Sequence, residues 1–198
     1  MTKSSEILDS LTWKQNFRPY VNKEPVRWED LRLNMTAGES LTLELNFEYS
    51  YFIGDPDALI QLCAPAAKQA GLVCDPPVGQ LLEMAEGLVS LTWTVSATTE
   101  ATGEFELHFE MPHYQGMPSS PAIGGGVLNF ARELEIKFDE FLLDFGANAY
   151  PCHGAEHTFT MLPKADSRLL NKSIKLMMAD ADPEVVVTPL LANPQLLE

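Results

Sequence analysis

Three segments of the chain alternate apolar and polar residues with a period of two. Leu41, Leu43, Leu45, Phe47, Tyr49 and Tyr51 fall on one side, and Thr42, Glu44, Asn46, Glu48 and Ser50 on the other. Val89, Leu91, Trp93 and Val95 alternate with Ser90, Thr92, Thr94 and Ser96; Phe105, Leu107, Phe109 and Met111 alternate with Glu104, Glu106, His108 and Glu110. Successive side chains of an extended chain point to opposite faces, so each pattern predicts a strand with one wet and one buried face, as antiparallel sheets require. Weaker strands are predicted at 31–34, 59–63 and 72–74, then at 134–138, 157–162, 173–178 and 185–188. Helical periodicity is confined to 4–11 and 81–86. Short strands parted by Gly, Pro and Asp turns predict an all-β sandwich architecture. The expected core of its first part is Leu43, Leu45, Phe47, Tyr49, Leu91, Trp93, Phe105, Leu107 and Phe109.

Part of the pattern recurs. Ile60-Gln61-Leu62 and Gln80-Leu81-Leu82-Glu83 are echoed by Ile174-Lys175-Leu176 and Gln195-Leu196-Leu197-Glu198, about 115 positions on, a whole-domain rather than a solenoid spacing. Ala37-Gly38-Glu39 matches Gly154-Ala155-Glu156, and Ile7-Leu8-Asp9 leading to Phe17 matches Val127-Leu128-Asn129 leading to Phe138. The expected organisation is a first β-sandwich over 1–118, a Pro/Gly linker over 119–126 containing Gly124-Gly125-Gly126, and a second copy over 127–198. The second copy lacks counterparts of Val89–Ser96 and Phe105–Met111, which leaves three outcomes open: a fragment of a longer array, the favoured one, a loosely ordered second half, or an open sheet edge completed by another chain. Such an edge is suited to self-association or to completion by a foreign strand.

Charge narrows the partners. Of 198 residues, 28 are acidic and 13 basic, a net charge of −15, which repels nucleic acid and anionic membrane surfaces. No apolar run reaches the roughly twenty residues of a spanning helix, and Met1–Glu6 leads into no secretory apolar region. The expected compartment is extracellular if the chain belongs to a larger surface protein, and cytoplasmic otherwise. Protein or glycan partners fit this composition. Cys63 and Cys74 flank a segment centred on Lys68-Gln69; a hairpin there would set them opposite one another, either bonded as a disulfide or packed as two small apolar side chains.

Candidate chemistry is sparse. Cys152, His153, Glu156 and His157 are donors of the zinc type, but Gly154 stands where a metalloprotease helix carries glutamate, and Pro151 and Gly154 predict a turn. Asp55 and Asp57, and Asp180, Asp182 and Glu184, are oxygen ligands of the calcium type in loops. Glu104, Glu106 and Glu110 are expected to form a solvated charge ladder, with His108 beside them facing solvent. Trp13, Trp28, Tyr20, Tyr114 and Tyr150 lie outside the regular strands and suit a glycan-stacking platform. No phosphate loop, dinucleotide fingerprint or nucleophile elbow is present, so neither a catalytic site nor a cofactor is expected.

The Ala37-Gly38-Glu39-Ser40 turn, the strand from Leu41 to Tyr51, Leu91-Thr92-Trp93-Thr94-Val95 and Gly103–Phe109 together resemble the Ig-like repeats of large bacterial surface and secreted proteins. The resemblance implies tandem Ig-like antiparallel sandwiches, the second incomplete, acting as a non-catalytic spacer or adhesion module. The alternatives are a carbohydrate-binding sandwich and a metal-dependent enzyme centred on Cys152, His153 and His157.

Overall fold

A computed structural model describes residues 12–64, 71–145, 147–175, 186–188 and 194–197. It is 41% strand and 5% helix, which bears out the all-β class. No described helix is long and apolar enough to cross a membrane. The chain divides into two compact units, Met1–Asn129 and Phe130–Glu198.

Unit 1 holds ten strands: β1 (Arg18–Val21), β2 (Glu24–Pro25), β3 (Arg32–Thr36), β4 (Ser40–Asn46), β5 (Leu59–Cys63), β6 (Leu72–Asp75), β7 (Leu82–Glu83), β8 (Ser90–Ala97), β9 (Gly103–Glu110) and β10 (Ile123–Leu128). They form two five-stranded sheets, ordered β2-β1-β4-β8-β6 and β3-β10-β9-β5-β7. Period-two alternation supplies each sheet with an apolar face. On the first sheet Leu41, Leu43 and Leu45 sit opposite Val95, Trp93 and Leu91. On the second, Leu62 faces Phe109, and Ile123 faces Leu107. All of these join one buried cluster fed by both sheets, a sandwich-like layering in which each sheet covers the other's apolar face.

Four fold expectations for unit 1 need correction. The helical periodicity at 81–86 forms no helix, and Leu82–Glu83 is β7. The segment 119–126 is no linker along its whole length, because Ile123–Leu128 is β10, antiparallel to β9 and parallel to β3. Its inward positions are Ile123, Gly125 and Val127, and a Cβ on Gly125 would lie 2.4 Å from both the Leu33 carbonyl oxygen and the Phe105 ring. The Phe105 ring fills the space a side chain would take, which is why this strand carries glycine at its centre. Tyr49 is not core. β4 ends at Asn46, and the chain turns through a Ser50 N–H to Phe47 C=O bond of 2.8 Å, leaving Tyr49 81% and Tyr51 68% exposed. Cys63 and Cys74 do not share a hairpin: they lie on β5 and β6, in different sheets, and both are free thiols.

Unit 2 begins with a one-turn helix, Phe130–Glu133, and continues with β11 (Leu134–Phe138), β12 (Phe141–Leu143) and β13 (Phe159–Pro163), in the order β12-β11-β13. A separate ladder pairs β14 (Ser173–Ile174) with β15 (Gln195–Leu196). Glu133 is buried, and its carboxylate accepts from Arg168 Nε at 2.7 Å and Arg168 N–H at 2.6 Å, while its carbonyl accepts from Lys164 N–H. These bonds tie the segment after β13 back to the short helix.

The opening of unit 2 repeats several bonds of the opening of unit 1, although the second hairpin residue is left-handed in unit 1 (Lys23, φ 70°) and not in unit 2 (Glu140). In each, a helical turn (residues 12–16, then 130–133) leads into a strand and a two-residue hairpin, β1–β2 with Val21 opposite Glu24 and β11–β12 with Phe138 opposite Phe141. The first hairpin residue has a left-handed backbone in both, φ 51° at Asn22 and 53° at Asp139, where Asn and Asp are the side chains that tolerate it best. Asn22 exchanges backbone bonds with a threonine across the sheet, accepting through Oδ1 from Thr42 N–H (2.9 Å) and donating N–H to Thr42 C=O (2.9 Å). Asp139 does the same with Thr158, at 2.8 and 2.7 Å. The turn before the third strand also matches: Glu39 N–H to Thr36 C=O with Gly38 at φ 85°, and Ala155 N–H to Cys152 C=O with Gly154 at φ 76°. β4 and β13 then pair antiparallel with β1 and β11 in equivalent register, Val21 opposite Leu43 and Phe138 opposite Phe159. The correspondence sets Val21 against Phe138 and Gly38 against Gly154, whereas the sequence echo sets Phe17 against Phe138.

Candidate functional site

The turn from Cys152 to His157 is built around His157. Its Nδ1 lies 2.9 Å from Asp139 Oδ2, and the Cys152 N–H donates to its Nε2 at 3.0 Å. A ring nitrogen that accepts from an amide carries no proton, so Nδ1 holds the hydrogen and donates it to the carboxylate. The ring stacks on Phe138 at 4.9 Å. Both nitrogens are engaged, so His157 offers no lone pair to a metal, and Cys152 and His153 are exposed beside it. The turn is a brace between the β11–β12 hairpin and β13. The His157 Nδ1–H, and then the Thr158 N–H, hold the Asp139 carboxyl below its ordinary 3.8.

The donors that do converge are on unit 1. β5 and β9 pair so that Gln61 faces Glu110 and Cys63 faces His108. On the outer side of the sheet these four side chains form a two-by-two grid, while Leu62 and Phe109 point into the core at 0% exposure. His108 Nε2 lies 3.1 Å from Glu110 Oε1, Gln61 Nε2 donates to Glu110 Oε2 at 3.1 Å, and Ser119 Oγ donates to Oε1 at 3.3 Å. The hydrogen bond from His108 leads the influences that lower the Glu110 carboxyl. Burial, followed by the neighbouring Glu110, pushes the Cys63 thiol up to about 11. His108 and Glu110 are half-buried members of this network, correcting the expectation of a solvent-facing histidine beside a solvated ladder; Glu104 and Glu106 are exposed as expected.

A third feature is a sheet edge. In unit 1 the far side of β4 is covered by β8 along seven residue pairs. In unit 2 β13 is hydrogen-bonded to β11 and to no other strand among the described residues. Phe159 and Leu162 on β13, and Phe141 and Leu142 on β12, are all more than 40% exposed.

The remaining predicted positions separate. Asp180, Asp182 and Glu184 lie outside the described residues. Asp55 accepts from Asp57 N–H at 2.9 Å and so closes its own turn. Of the five rings expected to make a platform, Trp13 and Trp28 are core, with indole N–H groups donated to Pro118 C=O (2.8 Å) and Phe17 C=O (3.0 Å). Tyr114 packs edge-on against Phe52 at 5.0 Å, Tyr20 is half-buried on β1, and Tyr150 is exposed. No flat aromatic surface results. Sequence reasoning missed the Cys63–His108–Glu110 grouping because it depends on pairing β5 with β9. The signal available was that Gln61 and Cys63, like His108 and Glu110, occupy polar-face positions of their strands.

The chain matches no family model, and neither curated proteins nor solved structures yield a match.

Proposed function

We propose that this chain is a non-catalytic structural and binding module, a pair of Ig-like β-units of the repeat type used by bacterial surface proteins, and that it binds through the free edge of β13. The observation that supports the reading is the correspondence of β13 with β4: among the described residues β4 is flanked by two strands and β13 by one. An unpaired edge offers a row of N–H and C=O groups that a further strand satisfies, with affinity from the backbone ladder and selectivity from alternate side chains. The occupant this edge fits is an extended segment patterned like β8, whose Leu91, Trp93 and Val95 face Leu45, Leu43 and Leu41. In unit 2 the matching positions of β13 and its approach are Met161, Phe159 and His157, so the incoming strand meets large apolar and aromatic neighbours.

The test is backbone amide exchange on the whole chain with a synthetic peptide of the Ser90–Ala97 sequence. Exchange across 156–162 should slow at least about tenfold, the effect of roughly 1.4 kcal/mol of added protection. A peptide carrying proline in place of its tryptophan should give none, because proline removes a ladder donor. Unchanged exchange at millimolar peptide, with unit 1 intact, would refute the reading.

A further inference from the structure

We propose that the outer face of β5 and β9 is a divalent-cation site of the zinc class, ligated by Cys63 Sγ, His108 Nε2 and a Glu110 carboxylate oxygen. It belongs wholly to unit 1, and it stands whether or not the β13 edge binds a strand.

The three ligand atoms all lie within 4.8 Å of one another, and no other described trio of His, Cys, Asp or Glu side chains does so. A zinc ion bound at about 2.0–2.3 Å by sulfur, nitrogen and oxygen sets its ligands roughly 3.4–3.7 Å apart in a tetrahedron. The His108–Glu110 separation of 3.1 Å is already near that spacing, and the Cys63 ligand atom lies within 4.8 Å of both. Thiolate, imidazole and carboxylate together are the donor set of zinc rather than of calcium or magnesium, which take oxygen alone.

The scaffold is rigid where the site needs it to be. Cys63 and His108 are directly paired across the ladder, and the residues beside them, Leu62 and Phe109, are locked in the core. The ligating carboxylate has its own supports in Gln61 and Ser119, the kind of outer contact that orients a metal ligand. Binding displaces the thiol proton to solvent and moves the imidazole hydrogen from Nε2 to Nδ1, breaking the His108–Glu110 hydrogen bond, and a dication between one thiolate and one carboxylate is neutralised on a chain whose net charge is −15. Three protein ligands leave the fourth position open to water or to a partner's side chain.

The experiment is titration of the chelator-stripped chain with Co²⁺, read by thiolate-to-cobalt absorption, followed by Zn²⁺ displacement and metal analysis after dialysis. One equivalent of metal and a sulfur charge-transfer band are expected. C63S should abolish the band and H108A should weaken binding by at least about 10–100-fold, while C152S should leave both unchanged. Circular dichroism of each variant without metal reports whether it folds, and zinc should raise the thermal midpoint of the wild-type chain but not of C63S. No band at equimolar cobalt, or a band that survives C63S, would overturn the site.

Discussion

The two units share an opening and differ in what covers it. In unit 1 the three strands β2, β1 and β4 are extended by β8 and β6 and roofed by a second sheet, and the buried cluster runs from Trp13 to Val127. In unit 2, among the described residues, the same three-strand arrangement has no fourth strand in its sheet, and Leu134 and Leu197 are the only buried apolar residues. Local geometry is therefore insensitive to the coat above it: a helical turn, a left-handed Asn or Asp and a threonine across the ladder specify the motif in both places. The difference lies in what holds each together. Unit 1 relies on area removed from water, whereas unit 2 relies on polar ties through Glu133, Arg168, Asp139 and His157.

That contrast predicts substitution effects of different kinds. The largest belongs to Trp93, which is 0% exposed and packs 5.1 Å from Phe109. Trp93→Ala should cost about 3–5 kcal/mol in chemical denaturation followed on unit 1. Its indole N–H has no hydrogen-bond partner among the described residues, so Trp93→Phe should cost less than half as much; an equal loss would mean that the N–H matters. A smaller effect is expected from Glu133→Ala, about 1.5–3 kcal/mol from losing charged hydrogen bonds. It should speed amide exchange in β11–β13 and leave β4 and β8 unchanged, and a loss spread over both units would break the contrast.

The smallest effect is one of pH. Burial alone would raise the Glu133 carboxyl, but Arg168 through its side chain and backbone, with Ser167, brings it below the ordinary 4.5. Asp139 is likewise lowered, by His157 first and then by Thr158. Groups depressed in the folded state stabilise it above their unfolded values, and that stability is lost as pH falls through the folded ones. Amide exchange in β11–β13, corrected for its intrinsic rate, should therefore accelerate on acidification below about pH 4, while the hairpin held by the uncharged Asn22 responds less. Asp139→Asn keeps an acceptor for Thr158 and should flatten part of that acid response; a response as steep as the parent's would remove Asp139 from the account.

Alternation made β4, β8 and β9 legible because each carries bulky apolar residues on at least three successive inward positions. β10 was hidden by the same rule, since its central inward residue is Gly125 and the volume there belongs to Phe105, twenty residues earlier. Tyr49 misled in the opposite direction: the alternation continues past Asn46 while the backbone turns. Trp13 and Trp28 sit outside strands yet cap the core, because a ring with a satisfied N–H can be buried from a loop as well as from a sheet. The converging donors on β5 and β9 belong to residues more than forty positions apart, and no local pattern specifies which strands become neighbours. The histidine of the Cys152–His157 turn was visible, but its role depended on Asp139, an ordinary polar position until the hairpin brings it across the sheet.

The parallel ladder between β3 and β10 has a consequence for synthesis. β3 is made early, and its sole ladder partner in the described sheets is the last strand of unit 1. A nascent chain emerging from the ribosome therefore carries the backbone N–H and C=O groups of β3 without their ladder partner until residues 123–128 have cleared the exit tunnel. Premature release or stalling before that point leaves an adhesive strand in the open, the interval in which a chaperone has most to do.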